Sequence, residues 1–145
     1  MRYTKGGVKR IFILKFENGD VMLDEISKFA KNEKIKAAVF VFLGALEKGY
    51  IVMGPKKPVI PPDPSWKKFK NAWEAMGIGT IFTNKSGPQI HIHTSMGHKG
   101  KVLTGCLRKS SSIFLVIEAV VFELTGVKAS KDLDPKTGLN LLKIL

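Results

Sequence analysis

The sequence predicts an α+β fold in a single domain, with a mostly antiparallel sheet of about seven strands and one main helix at about residues 20–33. Three observations predict it. Several apolar segments are rich in β-branched and aromatic residues and are separated by Gly, Asn and Pro turns. Only one segment carries its apolar residues at helical spacing. The 145 residues suffice for one hydrophobic core, so we expect one domain over residues 1–145.

The first third of the chain supplies a strand, the helix and a long buried strand. Residues 8–17 are apolar and β-rich, and Asn18-Gly19-Asp20 follows as a turn in which Asp20 can cap the helix. Residues 35–46 form a nearly continuous apolar run, which is typical of a strand covered on both faces, and residues 49–53 predict the next strand. The apolar face of the predicted helix consists of Met22, Leu23, Ile26, Phe29 and Ala30.

The remainder of the chain predicts a loop, further strands and a tail. Residues 54–70 form a Pro/Lys-rich loop, because five prolines lie between positions 54 and 64, although its basic end, Trp66–Lys70, also fits a short amphipathic piece or an edge strand. A tight turn at 97–100 joins two strands into a hairpin, and residues 129–145 form a C-terminal packing tail. The predicted strands are 75–82, 89–96, 101–107 and 113–124.

The charge balance is strongly basic, with 24 Lys and Arg against 12 Asp and Glu and a net charge of +12. This excess indicates an anionic partner such as duplex DNA or another anionic ligand, or else serves solubility. Aromatic and basic residues alternate at 66–70, as they do on nucleic-acid-binding surfaces and equally in solvated loops. The residues that the sequence nominates for DNA or anion contacts are Lys67, Lys68, Lys70 and Arg108.

Cysteine content and hydropathy indicate the compartment. The one cysteine, Cys106, cannot form an intrachain disulfide, which favours a reducing environment. The sequence shows no secretory signal, and its apolar runs are too short to span a membrane. We therefore expect a cytoplasmic protein without a membrane partner.

The most informative motif is Ile90-His91-Ile92-His93 on a predicted strand. Alternate strand residues face the same side, so His91 and His93 point together and could ligate one metal ion. The third ligand could be His98, in the turn that follows, or Cys106, on the partner strand of the hairpin. With Cys106 the set would suit zinc and leave an open position. The alternatives are a polar strand face for the histidines and a small buried hydrophobe for the cysteine.

Two carboxylates are candidates for acid/base or supporting roles. Glu118 interrupts an apolar strand, where a carboxylate needs a partner or an exposed edge, and Glu74 precedes Gly77-Ile78-Gly79. No catalytic residue can be assigned, because the chain has no nucleophile elbow, P-loop or dinucleotide fingerprint. The sequence therefore favours a binding protein over an enzyme.

Several segments together resemble the PPC domain, the plants and prokaryotes conserved domain that accompanies AT-hooks in plant nuclear proteins. The resemblance runs from about Ile11 to Thr125. The matching pieces are Ile13–Phe16 with Asn18–Asp20, Phe29-Ala30, Val41–Leu46, Trp73–Ile81, Pro88–His93, Thr104–Leu107 and Val116–Glu118.

The resemblance implies an α+β fold with a central antiparallel sheet, a homotrimer and, as in some prokaryotic members, a metal held by histidines that match His91 and His93. Two positions depart from the family pattern. Thr104-Gly105-Cys106-Leu107 stands where many members have Gly-Gly-His-Leu, and Lys15 stands where an Arg is common. The chain also lacks the Arg-Gly-Arg-Pro hook with which the plant proteins grip DNA.

Three functions follow from these observations. The first is a stand-alone, homotrimeric PPC-type protein that binds DNA or regulates through its basic surface. The second is a metal-dependent small-molecule-binding protein or hydrolase with a His-x-His site at a subunit cleft. The third is an assembly module whose partner is another protein.

Overall fold

A seven-stranded antiparallel sheet forms the body of the computed structural model, which describes residues 1–145. One helix, α1 (Met22–Asn32), packs on one side of the sheet, and a separate two-stranded hairpin ends the chain. The strands are β1 (Gly7–Glu17), β2 (Ala37–Pro55), β3 (Pro64–Phe69), β4 (Trp73–Asn84), β5 (Gly87–His98), β6 (Lys101–Leu107), β7 (Ser112–Thr125), β8 (Ala129–Asp134) and β9 (Leu139–Ile144). The predicted α+β class and the single domain are confirmed.

The long strand β2 organises the sheet, whose order is β1-β7-β2-β4-β5-β6 with β3 also paired to β2. Gly44 bends β2 with a φ of +138°, at the point where its pairing with β7 shifts register. Its first part lies between β4 and β7, whereas its last part pairs with β3 and, at Ile51 and Val52, with β6. This second contact with β6 curls the sheet back on itself.

The core lies between α1 and the inner face of the sheet. Met22, Ile26 and Ala30 of α1 are buried, as the helical spacing predicts. The helix was expected to be capped by Asp20, and this is wrong. Val21 occupies the N-cap position, and the Asp20 carboxylate instead accepts a hydrogen bond from the Glu17 backbone N–H across the turn. No helix of the structure has the length and apolar character needed to cross a membrane.

Three segments differ from the sequence-based expectation. The predicted loop at 54–70 is shorter, because residues 64–69 pair with β2 as strand β3. The predicted packing tail at 129–145 is the β8–β9 hairpin, in which Leu139, Leu141 and Leu142 are exposed. The run at 35–46 joins the strand expected at 49–53 into β2, and in one subunit only one of its faces is covered.

The uncovered face of the sheet is apolar. Its central strands β2 and β4 leave Val41, Leu43, Met76 and Ile78 exposed, together with Ile13 of β1. These side chains border an open hollow of about 830 Å³, which also reaches His93 and Glu118. Monomeric proteins rarely leave an apolar surface of this extent open to water.

Close packing of β2 on β4 depends on Gly79. Gly79 lies opposite Phe40, whose side chain is 1% exposed, and a Cβ atom at position 79 would overlap the Phe40 ring. We expect Gly79→Ala to lower the free energy of unfolding by about 1–3 kcal/mol, the usual cost of overpacking a core. Urea denaturation measures it.

Gly97→Ala is the matched control on β5, because the nearest atom to a Cβ there is the Lys101 carbonyl oxygen at 3.8 Å. It should change stability by no more than about 0.5 kcal/mol. Equal losses in the two variants would contradict the packing argument.

Candidate metal centre

The two histidines of β5 lie on one face of the strand. His91 and His93 are exposed, whereas Ile92 between them is fully buried on the opposite face. Their rings are 4.8 Å apart between centroids and nearly perpendicular, at 86°. Strand alternation alone produces this arrangement, as expected for residues two apart.

Cys106 of β6 completes a donor cluster with these histidines. It lies directly opposite His93 in the β5–β6 register and opposite Val52 in the β2–β6 register. The ligand atoms of His91, His93 and Cys106 all lie within 4.8 Å of one another. Next to them, Gly105 lets β6 approach β2 closely, because a Cβ atom there would overlap the Val52 carbonyl.

The hairpin turn explains why the register is fixed. Lys99 and Gly100 both have positive φ, of 46° and 75°, as a two-residue type I′ turn requires. This turn sets His98 opposite Lys101 and, five pairs further along, His93 opposite Cys106.

The other sequence-predicted candidates lie outside the cluster. His98 Nδ1 is 2.6 Å from the Ala72 carbonyl oxygen, and its ring lies 5.2 Å from that of Trp73. Glu74 and Glu118 are exposed and contribute no atom to the donor cluster. Glu118 lies instead in the open hollow of the sheet face, near Lys15.

The surroundings favour neutral imidazole at His91. Part of this side chain is exposed, but the protein atoms around the ring reduce its hydration, and this desolvation lowers the pKa of His91 to about 4. The positive charges of Lys131, His93 and Arg108 act in the same direction. At neutral pH the ring therefore keeps a free lone pair for a ligand bond.

Burial acts in the opposite sense on the thiol of Cys106, which is 6% exposed. Loss of hydration raises its pKa, and the nearby charges of Arg108 and Lys131 only partly offset this. Burial also lowers the pKa of Lys131, whose residue is 9% exposed and whose ammonium forms no ion pair. A metal ion that binds the Cys106 sulfur would displace the thiol proton, so binding would release a proton.

The donor set fits a zinc ion. Two nitrogen donors and one sulfur donor form a recognised catalytic-type set with an open fourth position. Donors to one tetrahedral zinc lie roughly 3.3–3.7 Å apart, given its bond lengths. The donor atoms all lie within 4.8 Å of one another, so the side chains would have to draw together by up to about 1 Å to bind one ion.

A pocket of about 530 Å³ opens beside the cluster, and we call it the basic pocket. It is bounded by β2, β3, β6 and the loop before β3, and none of its lining residues is acidic. Its lining comprises Val52, Met53, Gly54, Pro55, Pro62, Pro64, Trp66, His91, His93, Gly105, Cys106, Arg108 and Leu139.

Of the predicted DNA or anion contacts, only Arg108 lines this pocket. The Arg108 guanidinium lies 5.6 Å from the centre of the Trp66 ring. Lys67 and Lys68 of β3 and Lys70, which follows it, are exposed, and Lys68 lies over the Tyr50 ring at 5.8 Å.

Sequence reasoning missed Lys131 and the wall that Trp66 provides. Lys131 comes from β8, whose position beside β4 is fixed by a hydrogen bond from the Asn84 side chain to the Lys131 carbonyl oxygen at 2.8 Å. No local spacing signals that long-range contact. The aromatic and basic alternation at 66–70 did signal Trp66, but gave no indication that it faces Arg108.

The Plants and Prokaryotes Conserved (PCC) domain profile matches residues 3–125, whereas no curated protein sequence matches. A metal-containing protein of Archaeoglobus fulgidus is similar at 25% identity, with a TM-score of 0.86 over 99% of each chain. A plant- and prokaryote-conserved protein of Pyrococcus horikoshii is similar at 26% identity, with a TM-score of 0.86 over 100% of this chain and 99% of that one.

A more distant relative shares the fold alone. It is a candidate DNA-binding protein of Ralstonia eutropha, similar at 18% identity with a TM-score of 0.76 over 92% of this chain and 90% of that one. The profile match covers most of the sequence and includes all three residues of the donor cluster. The chain therefore belongs to the PCC domain family, the family that its motifs resemble.

Proposed function

We propose that this protein binds a transition-metal ion, zinc first among them, through His91, His93 and Cys106. The observation that carries the proposal is the convergence of three donor atoms within 4.8 Å. The metal-containing protein of Archaeoglobus fulgidus, with its TM-score of 0.86, supports it. A reducing cytoplasmic compartment would keep the thiol available.

The same geometry favours binding over hydrolysis. A zinc ion with an open position would supply a Lewis acid and a place for one exogenous ligand. General acid–base catalysis needs a titratable group within hydrogen-bond reach of the reacting atoms. Glu74 and Glu118 are outside the donor cluster, and the basic pocket has no acidic lining, so this chain offers groups that bind and orient a ligand.

Cobalt(II) titration tests the metal site. We expect one cobalt per chain, a thiolate-to-metal absorption band, displacement by zinc, and an affinity that rises about tenfold per pH unit from pH 6 to 8. Cys106 contributes to this rise in affinity, because its raised pKa keeps the thiol protonated until the metal displaces the proton. His91, with a pKa of about 4, is already neutral throughout this range.

Three variants sharpen this test. Cys106→Ser should lose the absorption band and the pH dependence that comes from the thiol, and His93→Ala should lower the affinity by at least about tenfold. His98→Ala is the matched control, because that ring contacts Ala72 and Trp73 rather than the cluster. The proposal fails if the wild-type chain binds no cobalt, or if His98→Ala weakens binding as much as His93→Ala.

The protein would act as the homotrimer that the family resemblance implies, with subunits meeting on the uncovered sheet face. The support is the exposed apolar surface of β2 and β4, where Leu43 is 59% and Met76 67% exposed. A subunit interface is the usual cover for such a surface. His93 borders the same hollow, so the metal cluster would lie at the edge of the interface.

Leu43→Glu should dissociate this assembly without unfolding the subunit, since the side chain is already exposed. Light scattering after size exclusion should give three times 16.0 kDa for the wild type and a single 16.0 kDa chain for the variant. Leu133→Glu, at an equally exposed site on β8, is the control and should stay trimeric. A monomeric wild type would exclude the trimer.

Duplex DNA is a second candidate partner, favoured by a specific observation. Only six of the 24 Lys and Arg residues form ion pairs. Lys67, Lys68 and Lys70 are among the unpaired cations. Lys67 and Lys68 lie on β3 and Lys70 directly follows it, near the exposed rings of Tyr50 and Trp66. Cations interleaved with aromatics suit a phosphate backbone.

Fluorescence anisotropy with a labelled duplex tests this candidate. Lys67→Gln, Lys68→Gln and Lys70→Gln combined should weaken binding and flatten the plot of log affinity against log salt by up to about three units, one per phosphate contact. Lys31→Gln, Lys36→Gln and Lys85→Gln combined remove the same charge from exposed positions elsewhere and should leave the slope nearly unchanged. Equal effects, or no binding at low salt, would exclude β3 as a DNA surface.

A further inference from the structure

We propose that the basic pocket binds a small organic oxyanion, a carboxylate or phosphate carried on an apolar body, with Arg108 as its specific donor. The inference deepens the proposed function, because it assigns a ligand class to the pocket beside the metal cluster. Only its metal-facing side rests on that function, since the Arg108 contact needs no metal.

Arg108 has a fixed backbone and an unpartnered side chain. Its backbone is held on both sides: the N–H donates to the Tyr50 carbonyl oxygen at 2.9 Å, and its carbonyl oxygen accepts from Ser111 Oγ at 2.7 Å. Its side chain lies over Trp66 and lines the basic pocket. None of the seven ion pairs of the chain involves its guanidinium, and Nε is a buried donor without a hydrogen-bond partner.

A buried donor without a partner is costly, and a planar guanidinium matches the two oxygens of a carboxylate or phosphate. Arg108 Nε is the only buried side-chain nitrogen or oxygen in the chain that lacks a hydrogen-bond partner. The two Nη groups of Arg108 also have no protein partner and, unlike Nε, are not buried, so an oxyanion in the basic pocket would accept charge-assisted hydrogen bonds from them.

The charge around the pocket is positive. No Asp or Glu lines it, while Arg108 does, and the positive charge of Lys131, a residue that is only 9% exposed, acts on His91 and Cys106. A bound divalent cation would make the site more positive still, because Cys106 is the only ligand that carries a negative charge. An anionic head group is the complement of such a site.

The walls of the pocket indicate that the rest of the ligand is apolar. Beyond Arg108 the walls are apolar or aromatic, formed by Val52, Met53, three prolines, Leu139 and the Trp66 ring. A volume of about 530 Å³ lies within the range of small-molecule sites, which combine apolar walls with a few polar groups. A concave pocket of this size accommodates a small molecule better than a DNA backbone, which would follow the exposed lysines of β3.

Calorimetric titration with phenyl phosphate and with benzoate tests the inference, on the metal-free protein and on the cobalt-loaded protein. Inorganic phosphate lacks the apolar body and benzyl alcohol lacks the charge. We expect at least one of the two aromatic anions to bind several-fold more tightly than inorganic phosphate, and benzyl alcohol not to bind. The tighter of the two identifies the head group as phosphate or carboxylate.

Arg108→Met keeps the length and apolar contacts of the side chain, and should weaken the aromatic anion about tenfold or more with and without cobalt. Lys109→Met, an exposed neighbour, makes the same change in net charge and should alter affinity less than twofold. Arg108→Lys, which keeps the charge but not the planar donor, should give an intermediate loss and serves as the readout if Arg108→Met unfolds.

The outcomes separate this inference from the metal proposal. Anion binding that depends on Arg108 in a chain that binds no cobalt would uphold the anion site and overturn the metal function. Cobalt binding without anion binding, or equal losses in Arg108→Met and Lys109→Met, would overturn the anion site alone. If Arg108→Met weakens duplex DNA but not the small anions, the ligand is a nucleic acid and the inference is wrong.

Discussion

The candidate site depends on β6 pairing with two strands at once. On one side Cys106 lies opposite His93 of β5, and on the other it lies opposite Val52 of β2. That double contact is possible because Gly105 has no side chain at the closest approach to the β2 backbone. Pairing with β5 brings a thiol to the two imidazoles, and pairing with β2 adds the wall of the basic pocket. A residue with a Cβ at position 105 would force β6 away from β2 and alter both.

The two faces of the sheet carry different kinds of residues. The inner face is closed by α1 and holds most of the buried core, including Phe40, Ile92 and Ile117. The outer face carries exposed apolar residues in its centre and the donor cluster of His91, His93 and Cys106 towards β5 and β6. Strand alternation makes this division unavoidable, because Ile92 must face inward if His91 and His93 face outward. Stability and the proposed metal binding therefore depend on different residues of the same strands.

Local patterns predicted the parts of the molecule that local physics determines. The helix, the β5–β6 hairpin and the shared face of His91 and His93 follow from periodicity of 3.6 or 2 and from turn chemistry, and the structure shows all three. An edge strand was one of two alternatives for Trp66–Lys70, but its start at Pro64 was not predicted, because proline density argues against a strand until a partner strand is known. The C-terminal hairpin was expected only as a packing tail. Arg108 was nominated for its charge alone. Its orphaned Nε and the approach of Lys131 arise from contacts between residues distant in sequence, which no spacing rule contains.

The cysteine at position 106 determines the charge that the donor cluster would carry with a metal bound. A histidine there would bring a third neutral ligand, and a divalent cation would leave two full positive charges beside Arg108 and Lys131. A thiolate cancels one of them, and the position is buried enough that a small side chain suits it. Burial also raises the thiol pKa, so the negative charge develops only when a cation replaces the proton. The cluster and the guanidinium beside it would thus be coupled: a bound divalent metal would leave one net positive charge at the floor of a pocket that has no acidic side chain, and that charge would attract the same class of ligand as Arg108.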